Sequence, residues 1–317
     1  MAETTISWTD YTFNPWIGCA KVSPGCLNCY AEKMANHRSN WGVTWGVNGS
    51  RVRTSEATWK NPIKWNRQAE EEKRRARVFC SSLADVFEDR NDLLPVRKDL
   101  FEIIRNTPHL DWLLLTKRPE NISKMLPSDW GKGWSTVWLG TSTEDQIRYD
   151  LRINSLLSVP AKIHFLSAEP LIGELKIKHG KEDGLDWVIV GGESGGNFRE
   201  MDLNWARTVR DDCKRLGVTF FFKQHSAYQP KSKGELLDEK AHKAWPTTIK
   251  LKVGRPKISP LSRAEQVRFA QRRYRESHVS LSLKKLNRVD GLVGINERNK
   301  FINQAINELL NKKKKSK

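Results

Sequence analysis

The sequence has no long apolar run, few cysteines and a shortage of acidic residues. No stretch approaches the roughly 20 apolar residues that a membrane-spanning helix needs, and the polar segment Met1–Asp10 contains no secretory hydrophobic region. We therefore expect a cytoplasmic protein with no membrane span. The five cysteines are an odd number, and disulfides are rare in a reducing compartment, so a disulfide framework is not expected.

The shortage of acidic residues leaves a strong positive charge. Lys and Arg number 55 against 37 Asp and Glu, a net charge of +18, which usually indicates a polyanionic partner such as DNA. Residues 252–317 contain 18 basic and 5 acidic residues, or +13, and the preceding residues carry only +5. We predict a large catalytic domain over residues 1–230, a linker over 231–261 and a basic DNA-binding module over 262–317.

The middle of the chain repeats one pattern, in which a short apolar run is followed by a polar or Gly-rich loop and a helical stretch. The runs are Val78–Ser82, Trp112–Thr116, Val137–Thr141, Ile163–Ala168, Trp187–Gly191 and Thr219–Lys223. They recur at intervals of roughly 25 to 35 residues, as βα units require. Because the runs are continuously apolar, they are typical of parallel strands buried on both faces. A further strand is expected before Cys19.

Polar residues at the ends of these runs favour a barrel over an open sheet. The candidates are Ser81, Ser82, Asp85, Thr116, Lys117, Arg118, Thr141, Ser142, Glu144, Ser167, Glu169, Glu193, Ser194, Lys223 and Gln224. In a full or partial (β/α) barrel they would converge on one mouth, whereas in an open doubly wound sheet only those near a switch point would meet. The alternative is that they cap helices and form turns. We expect the Trp-rich stretch 36–75 to be an insertion over the mouth.

Three cysteines lie within eleven residues, in the order Cys19-AKVSPG-Cys26-LN-Cys29. Thiolates are soft ligands suited to zinc or to iron–sulfur clusters. A structural zinc site needs four ligands, and His37 is a candidate for the fourth. A [4Fe–4S] cluster held by three cysteines leaves one iron open, where S-adenosylmethionine can bind through its amino and carboxylate groups. Reductive cleavage of that cofactor yields a 5′-deoxyadenosyl radical.

Residues 5–228 resemble a phage and prophage family of three-cysteine proteins within, or close to, the radical S-adenosylmethionine superfamily. The resemblance lies in the segments TFNPWIGCAKVSPGCLNCYAE, LTKRP, LGTSTEDQ, LSAEPLIG, DWVIVGGESGG and FFFKQ. Two features depart from the superfamily pattern: the first gap between cysteines is six residues instead of three, and Ser81-Ser82-Leu83-Ala84-Asp85 stands in place of Gly-Gly-Glu. The resemblance implies a barrel of radical S-adenosylmethionine type that binds the cofactor and a [4Fe–4S] cluster.

Carried over by position, the resemblance gives roles to individual residues. It implies that the cluster is bound by Cys19, Cys26 and Cys29. Near the cofactor, it places Ser82 and Asp85 by the methionine amino group, and Thr141, Ser142 and Glu144 by the ribose. The catalytic residues, which bind cofactor or substrate, would be Glu169 and Glu193. An external electron donor is implied, and so is the host cytoplasm if the protein is phage-encoded.

The expected reaction is modification of a DNA base by radical chemistry. The preferred form is isomerisation of a substituent on a hypermodified thymine in phage DNA. Three alternatives stay open: a lyase that repairs DNA damage, an enzyme acting on a free nucleotide, and a zinc-stabilised DNA-binding regulatory protein that is not an enzyme.

The basic C-terminal region carries two DNA-binding patterns. The segment GRPK, with Arg255 and Lys257, resembles an AT-hook that inserts into the minor groove, although so short a motif also arises by chance. Residues 278–310 resemble a ribbon–helix–helix module, which dimerises through its strand. That resemblance places Ser280, Ser282 and Lys284 against bases and implies a homodimer. A helical hairpin that caps the barrel, or a tether to another protein, is the alternative.

Overall fold

The computed structural model describes residues 4–246, apart from the side chain of Ser39. Its strands are β1 (Tyr11–Thr12), β2 (Trp16–Ile17), β3 (Val52–Arg53), β4 (Ala76–Cys80), β5 (Leu110–Thr116), β6 (Val137–Ser142), β7 (Ile163–Ala168), β8 (Trp187–Gly191), β9 (Thr219–Gln224), β10 (Leu236–Leu237) and β11 (Lys240–Ala241). Its α-helices are α1 (Tyr30–His37), α2 (Glu56–Trp59), α3 (Asn61–Glu71), α4 (Leu94–Arg105), α5 (Ile122–Met125), α6 (Gln146–Leu157) and α7 (Leu203–Arg215). Short 3-10 helices lie at Pro24–Cys26, Ser39–Trp41, Asn91–Leu93 and Pro119–Asn121.

Two sequence predictions concern parts of the chain beyond these elements. The predicted DNA-binding residues Arg255, Lys257, Ser280, Ser282 and Lys284 lie outside the described residues, as does the predicted dimerisation segment. Between residues 4 and 246, no helix is long and apolar enough to cross a membrane.

Seven strands form one sheet in the order β1–β4–β5–β6–β7–β8–β9, and every neighbouring pair is parallel. Each strand of the sheet is added beside the one before it, so the chain winds in one direction. Crossovers between parallel strands are nearly always right-handed, which puts the helices of such a sheet on one face. A doubly wound sheet would instead reverse its order at a switch point. Because β1 and β9 are the edges of the sheet, the described fold is an α/β partial barrel, as predicted, and not a closed one.

The two faces of the sheet bury different side chains because alternate strand residues point to opposite faces. Val78, Leu114 and Val188 belong to the core that packs under the helices. The inner face holds a second cluster, formed by Trp8, Phe79, Leu113, Trp138, Ile163, Phe165, Trp187, Ile189 and Phe221. Burial on both faces explains why the strands are continuously apolar.

The Trp-rich stretch 36–75 contributes to the core, contrary to the prediction that all of it lies over the mouth. Helix α3 packs against β4 and β5. Trp65 stacks on Tyr11 with ring centroids 4.5 Å apart, and Trp59 packs edge-on against Phe13. Both tryptophans are buried, so the helical part of this stretch is the outer cover of the sheet.

Candidate functional site

The loop between β2 and α1 carries the three predicted ligand residues. Cys26 ends a 3-10 helix, and Cys29 is the N-cap residue of α1. Cys19, Cys26 and Cys29 are all free and partly exposed, whereas Cys80 and Cys213 are free and completely buried. The loop therefore presents three accessible thiols, and the other two cysteines of the chain belong to the core.

This cysteine loop (residues 18–30) lies at the carboxyl ends of the sheet strands, the region we call the mouth. At its start the Gly18 N–H donates to the Leu83 carbonyl oxygen over 3.0 Å, and Gly18 has a φ of +120°, which favours glycine. At its end the Tyr30 hydroxyl donates to the Ser82 carbonyl oxygen over 2.8 Å. The loop is thus fastened at both ends to the segment that follows β4.

Asp85, predicted to lie near the cofactor, is buried, and its carboxylate accepts hydrogen bonds from other residues of the chain. Its carboxylate accepts hydrogen bonds from Thr116 Oγ1 (2.7 Å), the Lys117 N–H (3.1 Å) and Arg118 Nη1 (2.8 Å). The same Nη1 lies 3.8 Å from Cys19 Sγ, within hydrogen-bonding distance of a sulfur. Asp85 therefore joins the loops after β4 and β5 and holds a cation against the first cysteine.

The surroundings of Cys19 and Cys29 favour the protonated thiol when no metal is bound. Burial and the Asp85 carboxylate raise the pKa of the Cys19 thiol to about 12, although Arg118 opposes them. Burial also raises the pKa of Cys29. Metals bind the thiolate, so metal binding at these residues would release protons.

Glu144 is completely buried among donors. Its Oε1 accepts a hydrogen bond from Ser23 Oγ (2.6 Å) and lies 3.2 Å from Lys117 Nζ, while Oε2 accepts one from Arg152 Nη1 (2.8 Å). Burial favours the neutral acid, but Lys117, Arg152 and Ser23 outweigh it and lower the pKa of Glu144 to about 2. Gly25 packs on this side chain, since an added methyl group would lie 2.3 Å from Glu144 Cγ. The carboxylate thus fixes the middle of the cysteine loop.

Glu193, predicted to be catalytic, fastens the far side of the loop. Its Oε2 accepts hydrogen bonds from Asn28 Nδ2 (3.0 Å), the Arg199 N–H (2.8 Å) and Arg199 Nε (2.9 Å). Arg199 Nη1 in turn donates to the Pro24 carbonyl oxygen over 3.1 Å. Burial would raise the pKa of Glu193, but the hydrogen bonds from Arg199 and Asn28 lower it. Its contacts within the chain are those of a structural anchor.

Glu169, the second predicted catalytic residue, keeps one oxygen without a hydrogen bond. Its Oε2 accepts from Trp8 Nε1 and from Ser167 Oγ, each over 3.2 Å. Lys223 Nζ lies 2.8 Å from Oε1, an ion-pair distance without hydrogen-bond geometry. A methyl group added to Gly191 would lie 3.0 Å from Oε1, so the glycine leaves room beside this carboxylate. Glu169 and Lys223 form a charged pair at the end of β7 and β9.

The remaining predicted cofactor residues differ in what their hydroxyls contact. Ser82 Oγ accepts a hydrogen bond from Asn14 Nδ2 over 3.1 Å, and Thr141 Oγ1 donates to the Thr116 carbonyl oxygen over 2.9 Å. Ser142 ends β6, directly opposite a serine of β7 in the register of the sheet. The structure therefore gives Ser82 and Thr141 partners within the chain, and their cofactor contacts stay predictions.

Sequence reasoning missed most of the side chains that hold the cysteine loop in place. They are Ser23, Asn28, Arg152 and Arg199, together with Lys117 and Arg118, which the sequence marks only as polar residues after a strand. A usable signal was Glu144 itself, because a buried carboxylate requires cations nearby. Arg152 lies eight residues after Glu144, in the second turn of α6.

Four exposed apolar or aromatic side chains lie in the cysteine loop, in helix α1 and in the segment after β9. We define the mouth rim as Leu27, Tyr30, Met34 and Tyr228, of which Tyr228 is 68% exposed. The Gly195–Gly196 turn lies close to both Lys33 of α1 and Tyr228. A methyl group added to Gly195 would lie 3.7 Å from Lys33 Nζ, and one added to Gly196 would lie 3.7 Å from Tyr228. The rim therefore combines aromatic side chains with a basic group, Lys33, near one glycine turn.

Comparison with known proteins gives one structural likeness and one family. The fold is similar to a solved structure of a spore photoproduct lyase mutant with bound AdoMet and dinucleoside spore photoproduct, at 12% sequence identity and a TM-score of 0.39. The match covers 66% of this chain and 62% of that one, which is less than two thirds of the solved chain's length. No curated protein matches the sequence. A family model described as a protein of unknown function (DUF5131) matches residues 3–273, so the chain belongs to that family.

Proposed function

We propose that the protein is a radical S-adenosylmethionine enzyme whose [4Fe–4S] cluster is held by Cys19, Cys26 and Cys29. The observation that carries the proposal is the position of three accessible thiols at the carboxyl ends of a parallel sheet, where barrels of βα units hold their active sites. When bound, the cluster would supply one electron to S-adenosylmethionine and so release a 5′-deoxyadenosyl radical, which can remove hydrogen from an unreactive carbon.

The cysteines fit a cluster better than a zinc ion. Zinc needs a fourth ligand, and His37 lies at the other end of α1 from Cys29, about 12 Å along the helix axis. Cys80 and Cys213 are buried in the core. In the part of the chain that the structure describes, no three His, Cys, Asp or Glu side chains meet at one ion position. Ligands of a [4Fe–4S] cluster need not do so, because each binds a different iron.

Within this proposal the charged residues of the mouth have two kinds of role. Asp85 and Glu144 shape the cysteine loop, because their oxygens already accept hydrogen bonds from the chain. Glu169 and Lys223 are assigned to cofactor or substrate, because Glu169 Oε1 has no hydrogen bond. Ser142 keeps its predicted place near the ribose.

Metal and sulfide analysis of the anaerobically reconstituted protein tests the cluster. We expect about four iron and four sulfide per chain, with a brown colour and broad absorption in the blue. One bound zinc with no iron would contradict the proposal and would favour the zinc-stabilised regulatory protein instead.

Replacing Gly25 with alanine is expected to reduce the iron content several-fold. The added methyl group would lie 2.3 Å from Glu144 Cγ, and Glu144 is held by Ser23 and Arg152, so the cysteine loop must move. Overpacking of this kind costs about 1–3 kcal/mol. Iron per chain is the measurement, and Gly196→Ala is the matched control, since its methyl group would make only an ordinary contact with Tyr228. Equal iron in the two variants would contradict this role of Gly25.

We further propose that the substrate is a DNA base. The net charge of +18 and the aromatic mouth rim with Lys33 beside it support a nucleic-acid substrate. Thymine is the preferred base, because the radical can attack its methyl carbon, which acids and bases cannot. We prefer isomerisation of a substituent on a hypermodified thymine in phage DNA. Lyase-type repair of damaged DNA and action on a free nucleotide are the alternatives. Mass spectrometry of nucleosides from cells with and without the protein separates them.

DNA with 5-iodouracil in a single-stranded stretch is expected to photocrosslink to the mouth rim. Exposed aromatic side chains stack on bases with about 1–3 kcal/mol each, so Tyr228→Ala should lower the yield of the crosslink at the rim about tenfold. Leu94→Ala, at an exposed position on α4, is the control and should leave the yield unchanged. Peptide mapping by mass spectrometry reports the sites. Crosslinks confined to residues 252–317 would contradict a role for the rim.

A further inference from the structure

We infer that Arg118 raises the reduction potential of the cluster by donating a hydrogen bond to the Cys19 ligand. This inference rests on the proposed function, because it takes Cys19 as a cluster ligand. Arg118 Nη1 lies 3.8 Å from Cys19 Sγ. Among the described residues, Arg118 is the cationic side chain that donates a hydrogen bond to a cysteine of the loop.

The guanidinium of Arg118 is held in place from several sides. Nη1 also donates to Asp85 Oδ2 over 2.8 Å, and Nη2 donates to the Ala20 carbonyl oxygen over 3.0 Å. Asp85 is itself fixed by Thr116 Oγ1. Arg118 is only 9% exposed. A planar guanidinium bound at both ends cannot swing away from the sulfur, so the contact persists when the cluster changes charge.

The remaining charge near Arg118 is nearly balanced. Glu88 Oε1 lies 3.7 Å from Arg118 Nη2, but the same carboxylate is taken by Arg51, whose Nη2 is 2.6 Å away. Asp85 offsets the charge of Arg118. The group holds two cations and two carboxylates, and the N–H···S contact of Arg118 is a favourable interaction with a negatively charged Cys19 sulfur. It opposes burial and the Asp85 carboxylate, which disfavour that charge.

A hydrogen bond to a ligand sulfur favours the reduced cluster. Reduction adds one electron to the cluster from an external low-potential one-electron donor, and the added negative charge spreads over the ligand sulfurs. A donor aimed at such a sulfur stabilises the extra charge, which is one of the ways a protein sets the potential of an iron–sulfur cluster. Loss of the donor and its charge should therefore make the cluster harder to reduce.

Redox titration followed by electron paramagnetic resonance tests the inference on the full-length reconstituted protein. Arg118→Gln should lower the equilibrium constant for one-electron reduction at least tenfold, a shift of about 59 mV to lower potential. Arg118→Lys keeps the charge, but an ammonium group cannot reproduce the planar guanidinium contacts with both Asp85 and Cys19. The reduction potential of this variant should therefore fall too, but by less. Arg75→Gln is the matched control, because Arg75 donates to Asp111 over 3.0 Å at the opposite end of the sheet. The reduction potential of the cluster in this variant should be unchanged.

Iron content and circular dichroism are measured first on each variant. If Arg118→Gln does not fold, Arg118→Lys decides. A folded, iron-loaded Arg118 variant with the wild-type potential would overturn the inference, as would an equal shift in Arg75→Gln. A wild-type protein that binds no iron would overturn the proposed function instead, and the inference with it.

Discussion

Replacing Cys26 with alanine is expected to abolish both cluster binding and cleavage of S-adenosylmethionine. Two thiols cannot hold a [4Fe–4S] cluster stably at a site that supplies only three. The buried Cys80 and Cys213 are out of reach. Iron per chain should fall from about four to near zero, and formation of 5′-deoxyadenosine should fall below detection. Iron analysis and chromatography of the cofactor products measure the two effects.

Cys213→Ala is the matched control for this variant. Cys213 lies in α7 and is completely buried, so its loss creates only a small cavity and should leave the iron content unchanged. A Cys26→Ala protein that still cleaves the cofactor at the normal rate would refute the ligand assignment.

Replacing Glu144 with glutamine is expected to destabilise the fold by about 3 kcal/mol at pH 7. The change leaves Lys117 and Arg152 without their shared counter-charge in a buried site, and breaking a buried ion pair on one side costs about 3–5 kcal/mol. Urea unfolding followed by circular dichroism measures the effect. Glu174→Gln is the control, because its ion pair with Lys176 is exposed and contributes less than about 1 kcal/mol.

The same carboxylate predicts a dependence of stability on pH. The pKa of Glu144 is lowered in the folded chain from 4.5 to about 2, so the folded state favours the charged form. Its contribution is fully present above pH 4.5 and is lost as the pH falls from 4.5 towards 2, amounting to about 3 kcal/mol. Wild-type protein should lose this stability over that range, whereas Glu144→Gln should not. Parallel pH profiles of the two would contradict the account.

Much of the fold follows from the sequence because the strands are buried on both faces. Ile163–Ala168 and Trp187–Gly191 match the predicted runs at both ends, since a continuous apolar run has clear limits. The predicted run Val78–Ser82 starts two residues after β4, which begins at Ala76. The polar residue at that boundary, Arg77, lies within the strand and pairs with Asp10, so apolar periodicity could not detect it.

The functional site was less predictable because its contacts join distant parts of the chain. The cysteines are close in sequence, so the loop could be recognised. The contact of Ser23 with Glu144 spans 121 residues and that of Asn28 with Glu193 spans 165, and no local pattern encodes such pairs. The resemblance placed Glu144 and Glu193 at the mouth and assigned them to cofactor or substrate, and those roles stay predictions. The structure adds contacts of both carboxylates that hold the cysteine loop.

Reductive cleavage of S-adenosylmethionine tests the central claim most directly. The anaerobically reconstituted protein is mixed with dithionite and the cofactor, and the products are separated by chromatography and identified by mass spectrometry. We predict 5′-deoxyadenosine and methionine in equal amounts, both dependent on iron and on the reductant. A protein that carries zinc in place of iron, or an iron-loaded and reduced protein that releases no 5′-deoxyadenosine, would contradict the account.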